Sequence, residues 1–171
     1  MNLYLMRHAH ALERDEWGGP DSERPLIDKG RHASEGAASG LARRSPPISR
    51  IITSPYARAA ETAAIVATRL GVPVTDSDAL APGFDLSALA SVLAEAGWAS
   101  DLLLVGHQPS MGHVLAALLG REHETMDMKK ASVALVILPD APASGESPPS
   151  LEGAATLRWL RTWRKLERLG A

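Results

Sequence analysis

The chain has 171 residues, a formal charge of −2 and no cysteine. This length predicts one domain covering residues 1–171. The missing cysteine excludes disulfides, thiolate metal sites and a cysteine nucleophile, and the even charge balance argues against nucleic-acid binding. No apolar run reaches the ~20 residues that cross a bilayer, and the start of the chain lacks a basic signal region. We therefore expect a cytoplasmic protein with no membrane partner.

Hydrophobic patterning predicts strands that alternate with helices. Short apolar runs predict strands at residues 2–7, 48–53, 72–75, 101–106 and 131–138, and a hairpin strand at 154–163. Helical spacing bounded by Pro and Gly predicts helices at residues 28–44, 55–70, 86–96 and 109–119. The last eight residues predict a short helix or a frayed tail. This alternation is typical of an α/β three-layer sandwich with a mainly parallel central sheet flanked by helices.

Two stretches of the chain do not fit a strand or a helix. Residues 9–27 are polar and rich in Gly and Pro, which predicts a surface loop. Residues 139–149 are rich in Pro, Ser and Gly, which predicts a flexible linker. Trp159 and Trp163 lie four residues apart near the end of the chain. At that spacing we expect them to pack in the core or on the hairpin rather than to form a partner patch.

Polar and cationic side chains follow three of the predicted strands. Arg7 and His8 end the first strand, Ser54 follows the second and His107 follows the fourth. Ligands of parallel α/β sheets bind beyond the carboxyl ends of the strands, so these side chains are expected to share one crevice. Arg58 lies in the first turn of a predicted helix, where a cation is unfavourable unless an anion is shared. Together these groups predict a phosphate site.

The residues at this crevice limit the chemistry that it can perform. Without cysteine, a group that accepts a phosphoryl must be His, Ser, Thr, Asp or water, and imidazole is a competent nucleophile near neutral pH. Arg7, Arg58 and a second histidine could neutralise the phosphoryl charge, so no metal or other cofactor is expected. Gly106 precedes His107, and we interpret its missing side chain as room for a ligand.

His10 forms a His-x-His pair with His8, the spacing of some metal ligands. A catalytic zinc site needs a third ligand and supporting groups, and the sequence identifies neither. We therefore expect no metal at this pair. His10 is instead predicted to lie at the rim of the pocket, where it and Ser54 would contact the substrate.

Four segments, in order, resemble motifs of the histidine phosphatase superfamily, which has the phosphoglycerate mutase-like fold. They are LMRHA at 5–9, PLIDKG at 25–30, TSPYARAAETA at 53–63 and VGH at 105–107. The resemblance implies that His8 is the phosphorylated nucleophile and that Arg7, Arg58 and His107 hold the phosphoryl oxygens. Only 48 positions separate Arg58 from His107. This compact spacing is similar to that of the SixA-type phosphohistidine phosphatases within the superfamily.

The chain departs from the family motifs at three positions. Ala9 replaces the usual glycine, and Ile27 replaces a threonine, which leaves Asp28 as the predicted N-cap of the following helix. Glu61 stands where glutamine is common, and its spacing predicts a surface ion pair with Arg58.

A general acid is hard to find in the sequence. Mutase-like relatives use a glutamate between the helix after Arg58 and the second histidine. The acidic residues there are Asp76, Asp78 and Asp85, and each reads as a surface or cap residue. A phosphohistidine substrate lessens the need for an acid, because imidazole is a far less basic leaving group than an alkoxide.

The leading hypothesis is a metal-independent phosphatase that acts on phosphohistidine in a signalling or phosphotransfer protein. One alternative is a phosphomonoesterase that uses the same site on a small metabolite, such as a sugar phosphate or a nucleotide. Another is a phosphate-binding module without catalysis. Retention of both arginines and both histidines argues against the last alternative.

Overall fold

The computed structural model describes residues 1–44, 47–98, 101–121, 124–140 and 149–170. Its strands are β1 (Asn2–Arg7), β2 (Arg50–Thr53), β3 (Val74–Asp76), β4 (Leu102–Gly106), β5 (Val133–Ile137) and β6 (Thr156–Arg161). Its helices are α1 (Asp28–Arg44), α2 (Ala57–Leu70), α3 (Leu86–Glu95), α4 (Ser110–Leu118) and α5 (Trp163–Gly170). Short 3₁₀ turns lie at Asp21–Glu23 and Asp78–Leu80.

The six strands form one sheet in the order β3-β2-β4-β1-β5-β6. Strands β3, β2, β4 and β1 pair in parallel, whereas β5 is antiparallel to both β1 and β6. The predicted α/β sandwich with a mainly parallel sheet is therefore confirmed, and β6 is the predicted hairpin strand. The register pairs Arg7 with Gly106, so the residues that follow β1 and β4 lie side by side.

Alternate side chains of the strands build two cores, one on each face of the sheet. Helices α1, α2 and α5 cover the face that carries Tyr4, Met6, Leu103 and Val105. Helices α3 and α4 cover the face that carries Leu3, Leu5, Leu102 and Leu104. Burial on both faces explains why β1 and β4 are nearly continuous apolar runs. None of the described helices is long and apolar enough to cross a bilayer.

The last described residues form α5, which packs closely on α1. The two helices approach so closely that a Cβ on Gly40 would lie 2.2 Å from the carbonyl oxygen of Leu166. Trp163 is buried in this contact, and the Trp159 ring lies 6.1 Å from the ring of Tyr4. The predicted packing role of the two tryptophans is confirmed. A short helix or a frayed tail was predicted for the end of the chain, and the structure shows the helix.

Several predicted boundaries differ from the structure by about two residues. Helix α2 begins at Ala57 because the backbone of Tyr56 is extended, with φ −64° and ψ 129°. The predicted strand at 72–75 is observed at Val74–Asp76. Asp28 is the first residue of α1 rather than its N-cap, and its carboxylate pairs with Arg31 at 3.0 Å. Most of the predicted linker, residues 141–148, lies outside the described part of the chain.

Candidate active site

The carboxyl ends of three parallel strands converge on one site. The backbone N–H of His8 donates to the carbonyl of Gly106 at 2.9 Å, and that of Ser54 donates to the carbonyl of Val105 at 3.0 Å. These bonds continue the pairing of β1, β4 and β2 beyond the strands. As a result, the rings of His8 and His107 lie 5.2 Å apart between centroids.

The His8 ring is fixed in one orientation by the backbone carbonyl of the next residue, Ala9. Its Nδ1 lies 2.7 Å from the carbonyl oxygen of Ala9, and because a carbonyl only accepts, Nδ1 carries the proton. The other ring nitrogen, Nε2, then holds a free lone pair. The main chain here is also fixed, since the N–H of Ala131 lies 3.2 Å from the carbonyl oxygens of both Arg7 and His8. This tautomer is the one that a nucleophilic imidazole requires.

The surroundings of His8 keep its ring neutral. Its side chain is buried, and this burial lowers the pKa of His8 to about 2, with His107, Arg58 and Arg7 acting in the same direction. Burial also lowers the pKa of His107 to about 4, again reinforced by Arg58. Both imidazoles are therefore uncharged at neutral pH, while the positive charge of the site resides on the arginines.

His107 is held by residues that precede α2. Its Nε2 lies 2.8 Å from Oγ of Ser54, which also accepts from the N–H of Tyr56 at 3.3 Å. The edge of the Tyr56 ring contacts His107, with 5.1 Å between centroids, and the guanidinium of Arg58 lies over the same ring at 5.0 Å. Tyr56 therefore sets the spacing between the second histidine and the second arginine.

Arg58 is buried and anchored by the loop between β1 and α1. Its Nη2 donates to the Asp21 carboxylate at 3.0 Å, and its Nη1 donates to the Asp21 carbonyl at 2.7 Å. Arg24 donates to the same carboxylate at 2.9 Å. Burial alone would raise the pKa of Asp21, but the two guanidinium groups outweigh it and hold the pKa below its usual value. Asp21 is therefore a fixed anion that orients Arg58.

Thr62 connects the first turn of α2 to the backbone after the candidate nucleophile. Its hydroxyl donates to the carbonyl of Arg58 at 2.7 Å and accepts from the N–H of Ala9 at 3.1 Å. Thr62 is fully buried, so water cannot replace either bond. One side chain thus fixes Arg58 relative to the segment that orients the His8 ring.

The site keeps several buried polar atoms that lack a protein partner. Nε of Arg7, Nε of Arg58 and Nδ1 of His107 are buried without a hydrogen-bond partner among the described residues. Arg7 does use Nη1, which donates to the carbonyl of Met128 at 2.9 Å. Buried polar groups are normally paired, so these atoms point to a polar ligand. A phosphoryl group, with several anionic oxygens, suits such donors.

Two interpretations from the sequence are wrong. A Cβ on Gly106 would lie 2.5 Å from Cε of Met111, so the missing side chain makes room for the core rather than for a ligand. Glu61 pairs with Arg31 at 2.7 Å instead of with Arg58, and it accepts from the N–H of Leu26 at 3.0 Å. The carboxylate that reaches Arg58 is that of Asp21.

The candidate acids lie away from the histidines. Asp76 and Asp78 are exposed, and Asp85 caps α3 by accepting from the N–H of Ala88 at 2.8 Å. Within the described ranges, no carboxyl group lies within hydrogen-bonding distance of the ring of His8 or His107. The described part of the chain also contains no cluster of three His, Asp or Glu side chains that could hold a metal ion.

Two different cavities are lined by residues that lie next to the two histidines in the chain. One is an apolar groove of about 610 Å³, lined by residues that include Phe84, Leu86, Pro109 and Val114. The other, of about 330 Å³, is lined by Arg7, His10, Lys29, Lys129, Lys130, Thr162, Trp163 and Arg164. We call the second cavity the basic pocket. His10 lines this pocket together with Arg7, and its contact with a substrate stays a prediction.

The structure therefore brings together Arg7, His8, Ser54, Arg58 and His107, and places His10 in the adjoining pocket. Sequence reasoning missed Tyr56, Thr62, Asp21 and Arg24. Tyr56 and Thr62 lie within the 53–63 motif, which was the available signal. Asp21 and Arg24 lie in the predicted surface loop, where no periodicity or spacing distinguishes them.

A neutral, buried imidazole beside two fixed guanidinium groups defines a site for phosphoryl transfer on an α/β sandwich. Residues 3–81 match the model of the histidine phosphatase superfamily, branch 1. The phosphohistidine phosphatase SixA of Escherichia coli K12 is 31% identical over 131 residues, which cover 74% of this chain and 79% of that protein. The chain belongs to the histidine phosphatase superfamily, and it is a phosphatase.

Two further comparisons extend this result. An uncharacterized protein of Picosynechococcus sp. strain PCC 7002 is 35% identical over 137 residues, covering 78% of this chain and 82% of that protein. The solved structure of the protein histidine phosphatase SixA complexed with tungstate superimposes with a TM-score of 0.77 and 27% identity. That match covers 97% of this chain and 99% of the other.

Proposed function

We propose that this phosphatase hydrolyses phosphohistidine on a signalling or phosphotransfer protein, through a phosphorylated His8 and without a metal ion. The observation that carries the proposal is the state of His8: buried, neutral, and bonded through Nδ1 to the carbonyl of Ala9. Nε2 is thereby the nucleophilic atom, with Arg7 and Arg58 as the neighbouring cations.

The first step transfers the phosphoryl group to the enzyme. The lone pair on Nε2 of His8 forms a bond to phosphorus while the P–N bond of the substrate breaks, and the electron pair of that bond returns to the leaving nitrogen. A phosphohistidine protonated on its second ring nitrogen leaves as neutral imidazole, so the enzyme need not donate a proton. Arg7 and Arg58 stabilise the phosphoryl oxygens as the reaction proceeds.

The second step returns the enzyme to its initial state. Water attacks phosphorus, the bond to Nε2 breaks, and inorganic phosphate leaves with the oxygen and protons of that water. We assign His107, which follows β4, to the same phosphoryl group, since its Nδ1 has no hydrogen-bond partner among the described residues. The absence of a carboxyl near either ring within the described ranges favours a substrate whose leaving group needs no strong acid.

Replacing the nucleophile tests the proposal directly. The His8→Ala protein should lose at least about 10³-fold in kcat/KM toward a phosphohistidine protein. His32→Ala is the matched control, because His32 is exposed on α1 beside Trp163. Full activity of His8→Ala would refute the proposed intermediate. Acid-labile, base-stable phosphate on the wild-type protein, absent from His8→Ala, would support it.

Two further arms test the substrate class and the metal. Turnover of sugar phosphates and nucleotides should be slower than turnover of phosphohistidine, and the reverse order would favour the small-metabolite alternative. Activity should persist in EDTA, and its loss, restored by added metal, would refute the metal-independent mechanism.

A further inference from the structure

The cationic side chains of this chain are unevenly distributed. The whole sequence has 18 basic and 20 acidic residues. The basic pocket nevertheless brings Arg7, Lys29, Lys129, Lys130 and Arg164 around one cavity of about 330 Å³. These five side chains come from four separate parts of the chain: the end of β1, the start of α1, the segment before β5 and the start of α5. Only the folded structure brings them together.

Carboxylates neutralise only part of this charge. Lys129 pairs with Asp127 at 2.5 Å and Lys130 with Glu13 at 3.2 Å, and both carboxylates are largely exposed. Lys29, Arg164 and Arg7 have no carboxylate within ion-pair distance among the described residues. Exposed ion pairs are weak, so an incoming anion can compete for Lys129 and Lys130 and can pair directly with Lys29 and Arg164.

His10 also lines this cavity. Nδ1 of His10 is buried and has no hydrogen-bond partner among the described residues. Burial lowers the pKa of His10, and the charges of Lys29, Lys130, Arg164 and Arg7 lower it further. The positive field of the pocket therefore converges on a neutral imidazole that can donate to an anionic oxygen.

The basic pocket adjoins the phosphoryl site through Arg7. This guanidinium lines the pocket, and its charge also lowers the pKa values of His8 and His107. His10 follows His8 by two residues, a chain length that spans at most about 7 Å. An anionic group that contacts Arg7 or His10 would therefore lie close enough to a phosphoryl group on His8 to belong to the same substrate.

We infer that the basic pocket is a specificity site for a second anionic group, carboxylate or phosphate, of the same substrate whose phosphoryl group is removed. The inference rests on the proposed function for the phosphoryl site, but it adds a requirement on the substrate. Acidic residues flanking a phosphohistidine would satisfy this requirement, as would the second phosphate of a bisphosphorylated metabolite. The apolar groove does not suit this role, because its lining contains no lysine or arginine and includes the carboxylate of Asp85.

The test compares matched substrates on matched proteins. Two phosphohistidine peptides differ only in flanking Glu or Gln, and a sugar bisphosphate is paired with the corresponding monophosphate. The wild-type protein should prefer the doubly anionic member of at least one pair by about tenfold in kcat/KM, and added salt should reduce the preference. Preference within the peptide pair identifies a protein carboxylate as the second group, and preference within the sugar pair identifies a phosphate.

A double variant, Lys29→Gln with Arg164→Gln, should reduce that preference to about threefold or less. These two residues are exposed and have no described ion pair to lose, and Arg164→Gln removes only a cation–π contact with Trp163 at 4.9 Å, so the fold should tolerate the changes. Lys165→Gln is the control, because Lys165 is an exposed neighbour on α5 that does not line the pocket. A preference that the double variant retains in full, or no preference in either pair, would overturn the inference.

A binding arm separates this inference from the proposed function. An unphosphorylated, Glu-rich peptide and inorganic pyrophosphate are titrated into the His8→Ala protein and into the same protein with Lys29→Gln and Arg164→Gln. The Kd of at least one probe should be about fivefold or more higher for the protein that also carries Lys29→Gln and Arg164→Gln. Equal Kd values for the two proteins would overturn the inference. If the wild-type protein hydrolyses neither phosphohistidine peptide, the proposed function fails. The binding measurement still shows whether the basic pocket binds an anionic group.

Discussion

The carboxylate of Asp21 holds the guanidinium of Arg58 at 3.0 Å, and the backbone carbonyl of Asp21 holds it again at 2.7 Å. The two residues are 37 positions apart, and the pair lies where the loop after β1 passes over the first turn of α2. An anion beside a phosphate-binding arginine weakens attraction for phosphate but fixes the direction of the donors. Orientation rather than net charge is therefore the contribution of Asp21.

Substituting Asp21→Asn separates these two effects. We expect kcat to fall about tenfold, about 1.4 kcal/mol, because Arg58 loses a charge-assisted bond. KM should not rise, because removing a negative charge favours an anionic substrate. Steady-state kinetics on a phosphohistidine protein measures both constants. Asp28→Asn, which breaks only an exposed pair with Arg31, is the control, and an unchanged kcat in Asp21→Asn would contradict the assigned role.

Thr62→Val should destabilise the protein and impair catalysis together. The change leaves the N–H of Ala9 buried without an acceptor, which costs about 1–3 kcal/mol of unfolding free energy. Urea unfolding measures this loss. Thr62→Ser should restore most of the stability. Thr68→Val on the exposed face of the same helix should cost less than about 0.5 kcal/mol, and a similar loss at both positions would contradict the prediction.

Gly30→Ala should disturb the segment that follows His8. A Cβ at this position would lie 2.0 Å from the carbonyl oxygen of His10, so one of the two backbones must move. We expect a loss of about 1–3 kcal/mol of unfolding free energy, as for overpacked cores, with reduced activity. Gly18→Ala is the matched control, because a Cβ there meets no atom within 4 Å. Thermal unfolding measures the difference in stability. Equal midpoints for Gly30→Ala and Gly18→Ala would contradict the prediction.

The buried histidines predict how stability depends on pH. Burial lowers the folded-state pKa of His8 from 6.5 to about 2, so below pH 6.5 the unfolded chain binds a proton that the folded protein does not. The resulting stability is present above pH 6.5 and is lost as the pH falls. Between pH 6.5 and 5.5 the loss is about 1 kcal/mol for one such histidine.

The His8→Gln protein tests this pH dependence. Urea unfolding at pH 6.5 and 5.5 should show that the variant loses about 1 kcal/mol less than the wild-type protein over this interval. His32→Gln serves for comparison, because the His32 side chain is 63% exposed. The same pH dependence in His8→Gln and wild type would mean that folding does not lower the pKa of His8.

The parts of the molecule that the sequence predicted are those set by local pattern. Strands β1 and β4 are buried on both faces and read as apolar runs, and the strand-to-helix junctions follow from them. Asp21 could not be found this way, because its partner Arg58 is distant in sequence and the loop that carries Asp21 has no period. Glu61 illustrates the same limit: helical spacing favours Arg58, but the three-dimensional structure supplies Arg31.

The basic pocket shows why composition alone does not reveal which cationic side chains lie together in the folded chain. Lys29, Lys130 and Arg164 are unremarkable as single exposed or half-exposed cations, and the near-neutral charge of the chain hides their proximity. They meet because α5 packs on α1 and because the segment before β5 crosses the end of β1. Such a cluster depends on tertiary packing, which no local window of sequence contains.

The main chain at His8 is held from both sides, by Gly106 on β4 and by Ala131 before β5. If His8 is the nucleophile as proposed, its place at the end of a central strand prevents it from shifting to suit leaving groups of different shape. Any change of substrate must therefore be made around it, in the long flexible side chains at the rim. Directed evolution toward a new substrate should accumulate its mutations at residues such as Lys29 and Arg164, and should leave the central strands untouched.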